Sequence, residues 1–325
     1  MIDIKEIITY GKGLVRPECV LATANGRVYA ADFRGGVSII ENDGSQWSIL
    51  AGDPEFELLP NGITLLPDGS FLLCHLGAET GSVYRLAVDG SVSPYLTEVD
   101  GIPLPPTNYA HLDSAGRVWV TVSTRLIPRA QGYTPYHADG FIVLVDQAGA
   151  RIVADNLGYT NECAVHPDGN RLYVNETFAR KTTAFDIAAN GDLSNATTIA
   201  EYGAGTYPDG IVFDVEGGCW ITSIVSNRVI RLTPGGEQQL MLEDCDHAHI
   251  EWVEQAFQAG EMGRPHLDEV KSKRLRNISS LAFAGSDMKT ALLGCLLGDE
   301  LYRFRAPCAG HAPAHWHFAG PQKQN

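Results

Sequence analysis

Apolar and polar positions alternate along this chain in short runs, and the runs come in pairs. Six segments share one layout: an apolar run, a tight polar turn and a second apolar run. They read ECVLATANGRVYAAD from Glu18, NGITLLPDGSFLLC from Asn61, NYAHLDSAGRVWVTV from Asn108, NECAVHPDGNRLYVN from Asn161, DGIVFDVEGGCWITS from Asp209 and SSLAFAGSDMKTALLG from Ser279. The runs have strand length and are rich in Val, Ile, Leu, Tyr and Trp, which predicts β-hairpins. Five turns centre on Gly26, Gly69, Gly116, Gly169 and Gly217. Glycine there supplies the positive φ that tight hairpins need, and Pro-Asp presets the entry in two of them. The sixth turn, Gly285-Ser286-Asp287, is degenerate.

Successive turn glycines lie 43, 47, 53 and 48 residues apart. That period suits a four-stranded propeller blade. After each hairpin there is room for two further strands, at Gly36 to Glu41 and Gln46 to Leu50 in the first copy and at Ser82 to Val88 and Ser91 to Leu96 in the second. Six copies predict an all-β fold, a six-bladed β-propeller closed as one domain over residues 1–325. The last outer strand must come from a chain end, either Ile2 to Ile8 or His315 to Phe318. Two stretches break the period, at about 123–140 and 244–277. Within the second, HIEWVEQAFQAG has Ile250, Val253 and Phe257 at helical spacing, which predicts a short helical insertion between blades 5 and 6.

The register carries the chemistry. Eight residues before the turn glycines stand Glu18, Asn61, Asn108, Asn161 and Asp209, and the matching position in the sixth copy is Ser279. Each opens an innermost strand, so the six side chains form a ring around the propeller axis. Two carboxylates and several amides in a narrow channel would cost several kcal/mol per buried charge if unpaired. A divalent cation removes that cost. Glu18 and Asp209 bring negative charge, and Asn108 and Asn161 bring neutral oxygens. All-oxygen ligation suits Ca²⁺, with Mg²⁺, Mn²⁺ or Zn²⁺ admitted; the lack of His or Cys in the ring disfavours Zn²⁺ as the preferred ion. Both insertions leave from the face where the innermost strands begin, so metal site, mouth and insertions share one end of the channel.

Composition narrows the partners. Lys and Arg number 24 against 39 Asp and Glu, a net charge of −15, which argues against nucleic acid or an anionic membrane. No apolar run reaches the length of a membrane span. The N-terminus shows no basic start followed by an apolar core, so no secretory signal is expected. Seven scattered Cys, none in CxxC spacing, point to a reducing cytoplasm rather than a disulfide framework. There is no GxSxG, P-loop or Ser/His/Asp order. The pairs His247/His249 and His315/His317 read as packed or solvated histidines, and His75 and Glu176 as strand ends on the mouth side.

The segments RPECVLATANGRVYAAD, TNECAVHPDGNRLYVNE, TYPDGIVFDVEGGCWITSIVSNRVIRL and NISSLAFAGSDMKTALLGC resemble the SMP-30/gluconolactonase/luciferin-regenerating-enzyme family of six-bladed propellers. The resemblance implies that Glu18, Asn161 and Asp209 hold a metal, with Asn108 either a fourth ligand or a substrate contact. It implies hydrolysis of a lactone, with Asp209 as the base or nucleophile, or else of a phosphotriester or phosphonate. A non-catalytic ligand- or protein-binding propeller with structural calcium is the reading from another class. Sugar-lactone members often carry an arginine two residues before the third-blade asparagine. Pro106 stands there, which points to a small or apolar lactone rather than a sugar-acid lactone. Asn61, Tyr133, Tyr136 and His137 are the expected substrate contacts, with Phe33 in the wall. The expected partner is a small-molecule lactone, and the oligomeric state is left open.

Overall fold

The structure is a computed structural model that describes residues 1–52 and 57–323. Among these residues are six four-stranded antiparallel sheets, each ordered from the innermost strand outward. Blade 1 comprises Val20–Ala22, Val28–Asp32, Gly36–Ile40 and Gln46–Leu50. The innermost strands of blades 2 to 6 are Pro60–Leu65, Thr107–Leu112, Thr160–Val165, Thr206–Phe213 and Ile278–Ala284. The six-bladed propeller is therefore as expected. The glycines of the first five turns all have φ between +76° and +87°, and in the sixth hairpin Met288 takes up a left-handed conformation at φ +51°.

Ring closure settles the open choice between the chain ends. Ile8–Tyr10 pairs with Leu301–Arg305 as the outer strand of blade 6. The strand starts where the expected 2–8 segment ends, because Ile4–Glu6 forms a 3₁₀ turn capped by the Asp3 side chain. The segment 315–318 is not a strand. Trp316 instead packs on Val20, Ala30, Leu292 and Leu301 between blades 6 and 1.

What holds the blades together is a row of apolar clusters, one at each junction. Leu21, Tyr29 and Ile39 of blade 1 meet Ile63, Phe71 and Leu73 of blade 2. Trp119, Ile142 and Leu144 of blade 3 meet Cys163, Leu172 and Phe185 of blade 4. Trp220, Val229 and Leu242 of blade 5 meet Leu281, Phe283 and Leu293 of blade 6. Full burial of such side chains contributes roughly 1.5–3 kcal/mol each, and blade stacking leaves few free edges.

The two insertions cover one end. Residues 123–140 contain a 3₁₀ turn, Arg129–Gly132. Residues 244–277 form helix α1, His247–Ala259, and helix α2, Arg264–Asp268. Asp246 caps α1 through its side chain, and Gly260 ends it at φ +70°. Val253 and Phe257 of α1 are buried against Tyr133, Tyr159, Phe178 and Tyr207. Glu254 anchors the same helix face to blade 5, accepting from Gly205 N at 2.8 Å and Tyr207 Oη at 2.9 Å and pairing with Arg180. Tyr136 Oη donates to Gln258 O at 2.8 Å, joining the two insertions.

Candidate active site

The innermost strands do more than begin at the ring positions. In blades 2 to 6 the register with the second strand slips at the ring residue: between Pro60 and Ile63, Thr107 and Tyr109, Thr160 and Cys163, Pro208 and Ile211, and Ile278 and Leu281. A bulge re-aims a side chain that plain alternation would send elsewhere. Here it accompanies the convergence of Asn61, Asn108, Asn161 and Asp209 on one pocket. Two bulges hold glycines for lack of space. A Cβ on Gly62 would lie 2.6 Å from the Tyr109 ring, and one on Gly210 would lie 2.6 Å from Ser279 O. Glu18 stands just before the first strand, and its carbonyl accepts from Ser279 Oγ and Ser280 Oγ, both at 2.7 Å.

Five of the six ring side chains, Glu18, Asn61, Asn108, Asn161 and Asp209, line one pocket at the mouth. All five are buried. Asn61 Nδ2 donates to Glu18 Oε1 at 2.9 Å and lies 3.3 Å from Asn108 Oδ1, so it links two ring members. Asn108 Nδ2 donates to Ser123 Oγ at 3.0 Å, and Asn161 Nδ2 to Thr177 Oγ1 at 3.0 Å. This leaves the Asn161 amide oxygen unpaired, while Asn108 Oδ1 faces Asn61 Nδ2. Ser279 departs from the ring expectation, because its hydroxyl is spent on the Glu18 carbonyl.

Three ring oxygens are left over. Glu18 Oε2, Asn161 Oδ1 and Asp209 Oδ1 are buried without a hydrogen-bond partner among the described residues. Burial drives the Asp209 carboxyl well above the usual range, and repulsion from Glu18 adds to it. Burial also raises Glu18, opposed by Arg16 and Arg129. A hard cation is the group that such a set fits. It would accept all three oxygens and reverse both shifts. An acidic cluster elsewhere, Asp214, Glu216 and Cys308, does not have this character. It sits at the opposite end of the blade 5 inner strand, and Arg231 already pairs with Asp214 at 2.6 Å and Glu216 at 2.8 Å.

Further along the axis lies a cavity of about 100 Å³, lined by Ile63, Leu112, Phe213 and Leu281 together with Glu162, His111 and His315. Glu162 follows Asn161 in the bulge, and its carboxyl is driven well up by burial and then by the Glu18 and Asp209 charges. It accepts from Ile211 N at 3.1 Å.

The outer wall of the mouth differs in part from the sequence expectation. Tyr133 lines the pocket as expected. Tyr136 does not; it is 75% exposed and ties the insertions together. His137 does not either, and its Nε2 lies 3.0 Å from Asp139 Oδ2. Glu176 is a strand-end residue held by Gly158 N at 2.6 Å and Thr183 Oγ1 at 2.5 Å. His249 is buried, with Nε2 3.2 Å from His266 O.

Sequence reading missed three arginines. Arg16, Arg129 and Arg264 line the pocket, from the loop before blade 1, the first insertion and α2. Phe33, expected in the wall, instead supports Arg16, whose guanidinium lies 4.9 Å from the ring centroid. Burial opposes ionisation of the Tyr133 phenol, yet Arg129 and Arg264 outweigh it and leave the phenol below its ordinary value. With three guanidinium groups, this wall does not suit a purely apolar substrate. Blade 3 carries Pro106 and supplies no arginine to this wall; its positive charge comes from other elements.

Comparison with known proteins gives the family and the fold. The family model described as "SMP-30/Gluconolactonase/LRE-like region" matches residues 17–243. A curated relative, 6-deoxy-6-sulfogluconolactonase from Pseudomonas putida, is 26% identical over 177 residues, which is 53% of this chain and 57% of that protein. The chain thus matches little more than half of that relative's length. Among solved structures, a gluconolactonase from Xanthomonas campestris shares 19% identity at TM-score 0.68, covering 93% of this chain and 89% of that one. A calcium-binding protein, regucalcin, from Agrobacterium tumefaciens shares 13% identity at TM-score 0.65, covering 98% of both chains. These two likenesses show the fold.

Proposed function

The chain belongs to the SMP-30/gluconolactonase/LRE-like family, and from that premise we propose that it is a divalent-cation-dependent hydrolase that opens a lactone ring at its axial mouth. The observation that carries this reading is the trio of buried, unpaired oxygens on Glu18, Asn161 and Asp209. The lactonase names of the curated relative and of the Xanthomonas neighbour support the reaction class. The calcium-binding neighbour supports Ca²⁺ as the ion. Glu18, Asn161 and Asp209 would hold it, with Asn108 as a fourth ligand or a substrate contact.

When bound there, a cation would supply Lewis-acid polarisation of the lactone carbonyl. The rest falls to the chain. Water attacks the carbonyl carbon, and the Asp209 carboxylate takes its proton as general base through Oδ2, the oxygen not given to the cation. The ring C–O bond then breaks, and the proton passes to the departing alkoxide, giving the open hydroxy acid. Asn108, held through Ser123 and Asn61, keeps one face of the substrate in register. Tyr133, Tyr159 and Phe178 pack edge-on or tilted with centroids 4.7–5.5 Å apart and exclude bulk water from that wall. The substrate is a small-molecule lactone. Seven free thiols make the cytoplasm the proposed compartment, and no helix among the described residues is long and apolar enough to cross a membrane.

The test is a lactone panel followed with a pH indicator, run with Ca²⁺, Mg²⁺, Mn²⁺ or Zn²⁺ and with EDTA. Lactone hydrolysis that EDTA removes and one of the ions restores is the expected result. Turnover of a fluorophosphate with none of the lactones, or binding of calcium with no hydrolysis at all, would overturn the lactonase reading.

A further inference from the structure

Two arginines in the mouth have no carboxylate within ion-pair distance among the described residues. Arg16 Nη2 donates to Asn61 Oδ1 at 2.9 Å, and its guanidinium rests on Phe33. Arg129 Nε donates to Tyr159 Oη at 2.7 Å, and its Nη2 lies 3.4 Å from Ser123 Oγ. Each is thus fixed by neutral partners. In each, Nη1 is buried and without a hydrogen-bond partner. Neither makes an ion pair among the described residues. Other inward arginines are matched: Arg231 by Asp214 at 2.6 Å, Arg228 by Glu243 at 2.6 Å, and Arg180 by Glu254. Arg264, on the same pocket wall, is matched by Asp268, with Nε 3.1 Å from Oδ2.

Glu18 and Asp209 are the only carboxylates on the pocket wall among the described residues, and the proposed cation takes up both of their charges. Arg16 and Arg129 then stand without an anion, inside a chain whose net charge is −15. A buried guanidinium nitrogen without an acceptor is unfavourable, and a planar or tetrahedral oxyanion is the acceptor that the two free Nη1 groups suit.

We propose that the lactone accepted by this site carries an acidic substituent, a carboxylate or sulfonate, held by the free Nη1 groups of Arg16 and Arg129. This rests on the lactone-hydrolase reading and names its substrate class. The arginines set orientation: an anion held on the Arg16/Arg129 side places the lactone carbonyl over the ring. The two sides of the mouth thereby divide the work, one reading charge and the other carrying the reaction.

The probes are 5-oxotetrahydrofuran-2-carboxylate, (5-oxotetrahydrofuran-2-yl)methanesulfonate and the neutral methyl ester of the carboxylate. The wild-type protein with Ca²⁺ should favour an acidic lactone over the ester by about 10²–10³ in kcat/KM, since a charge-assisted hydrogen bond contributes roughly a tenfold to hundredfold effect. Arg16→Gln and Arg129→Gln should each shrink that preference by at least about tenfold, mainly through KM, with Arg129→Lys keeping part of it. Calorimetry with tetrahydrofuran-2-carboxylate, which has no lactone carbonyl, gives a readout independent of turnover. It should bind the wild type and weaken about tenfold or more in each Gln variant. The acid-to-ester comparison uses only the wild-type protein, so a variant that fails to fold does not remove the test. Equal use of acid and ester would overturn the anion site and leave the hydrolase reading standing. Binding of tetrahydrofuran-2-carboxylate through both arginines with no lactone turned over would keep the anion site and overturn the hydrolase reading. No binding and no turnover would overturn both.

Discussion

Replacing Asp209 by Asn should make the protein more stable without calcium and less responsive to it. The side chain keeps its shape and loses its charge. Asp209 Oδ1 and Glu18 Oε2 are both buried and unpaired, and burial followed by Glu18 repulsion pushes the Asp209 carboxyl well up. In the unfolded chain that carboxylate is solvated and ionises freely, so folding without a cation works against it. Removing the charge should return about 1–4 kcal/mol. For 325 residues, an unfolding entropy of roughly 2.1 cal/mol/K per residue converts this to about 2–6 °C in Tm. With a cation the sign reverses. A ligand at 1,000 times its Kd stabilises the wild type by about 4.1 kcal/mol, or roughly 6 °C on the same scale. In Asp209→Asn that increment should fall below about 2 °C, and lactone turnover should drop at least about 10²-fold. Thermal melts in EDTA and in excess Ca²⁺, run on both proteins, give all four values. A variant that melts lower than wild type in EDTA, or that keeps the full calcium increment, would refute the electrostatic argument.

Three further outcomes follow from other parts of the fold. His111 and His315 are held neutral by burial, each near a pKa of about 4 against an ordinary 6.5. The unfolded chain gains those protons first, so the contribution of these rings to stability should be flat above pH 6.5 and fall between 6.5 and about 4, by up to roughly 1.4 kcal/mol per pH unit per ring; the buried Glu162 carboxyl slopes the other way, so the test is the difference between two sets of urea melts, in which His111→Gln should gain stability relative to wild type as pH falls through that window. Glu254→Gln should loosen the α1 cover, because Arg180 loses its carboxylate; a loss of about 2–4 kcal/mol and faster proteolysis within 244–277 are expected, and an unchanged cleavage rate would show that the anchor is dispensable. Burial and the Glu18 and Asp209 charges favour the neutral form of Glu162, so Glu162→Gln should melt within about 2 °C of wild type, whereas Glu162→Ala should cost about 2–4 kcal/mol by opening a cavity and stranding Ile211 N.

The parts of this molecule that were legible in the sequence are those written locally and repeated. Each hairpin turn needs a residue with positive φ, so the glycines at 26, 69, 116, 169 and 217 mark blade after blade. The ring could be found by counting because the polar residue stands eight positions before the turn glycine in each of the first five copies, and the pocket does bring Glu18, Asn61, Asn108, Asn161 and Asp209 together. What stayed hidden depends on contacts between distant segments. Arg16, Arg129 and Arg264 come from three irregular stretches that share no period, and no local pattern shows that they meet. Tyr136 and His137 looked like mouth residues for the opposite reason. They lie in the right loop, but Tyr136 is drawn to Gln258 O and His137 to Asp139. Ring closure was ambiguous because both chain ends hold short apolar runs, and only the pairing of Ile8–Tyr10 with Leu301–Arg305 decides between them.

The most direct test of the account is an anomalous difference map from crystals grown in the presence of Mn²⁺. The account predicts one strong peak on the propeller axis, at roughly 2.0–2.6 Å from oxygens of Glu18, Asn161 and Asp209. A map with no peak at those side chains, or with the ion beside Asp214 and Glu216 instead, would contradict it.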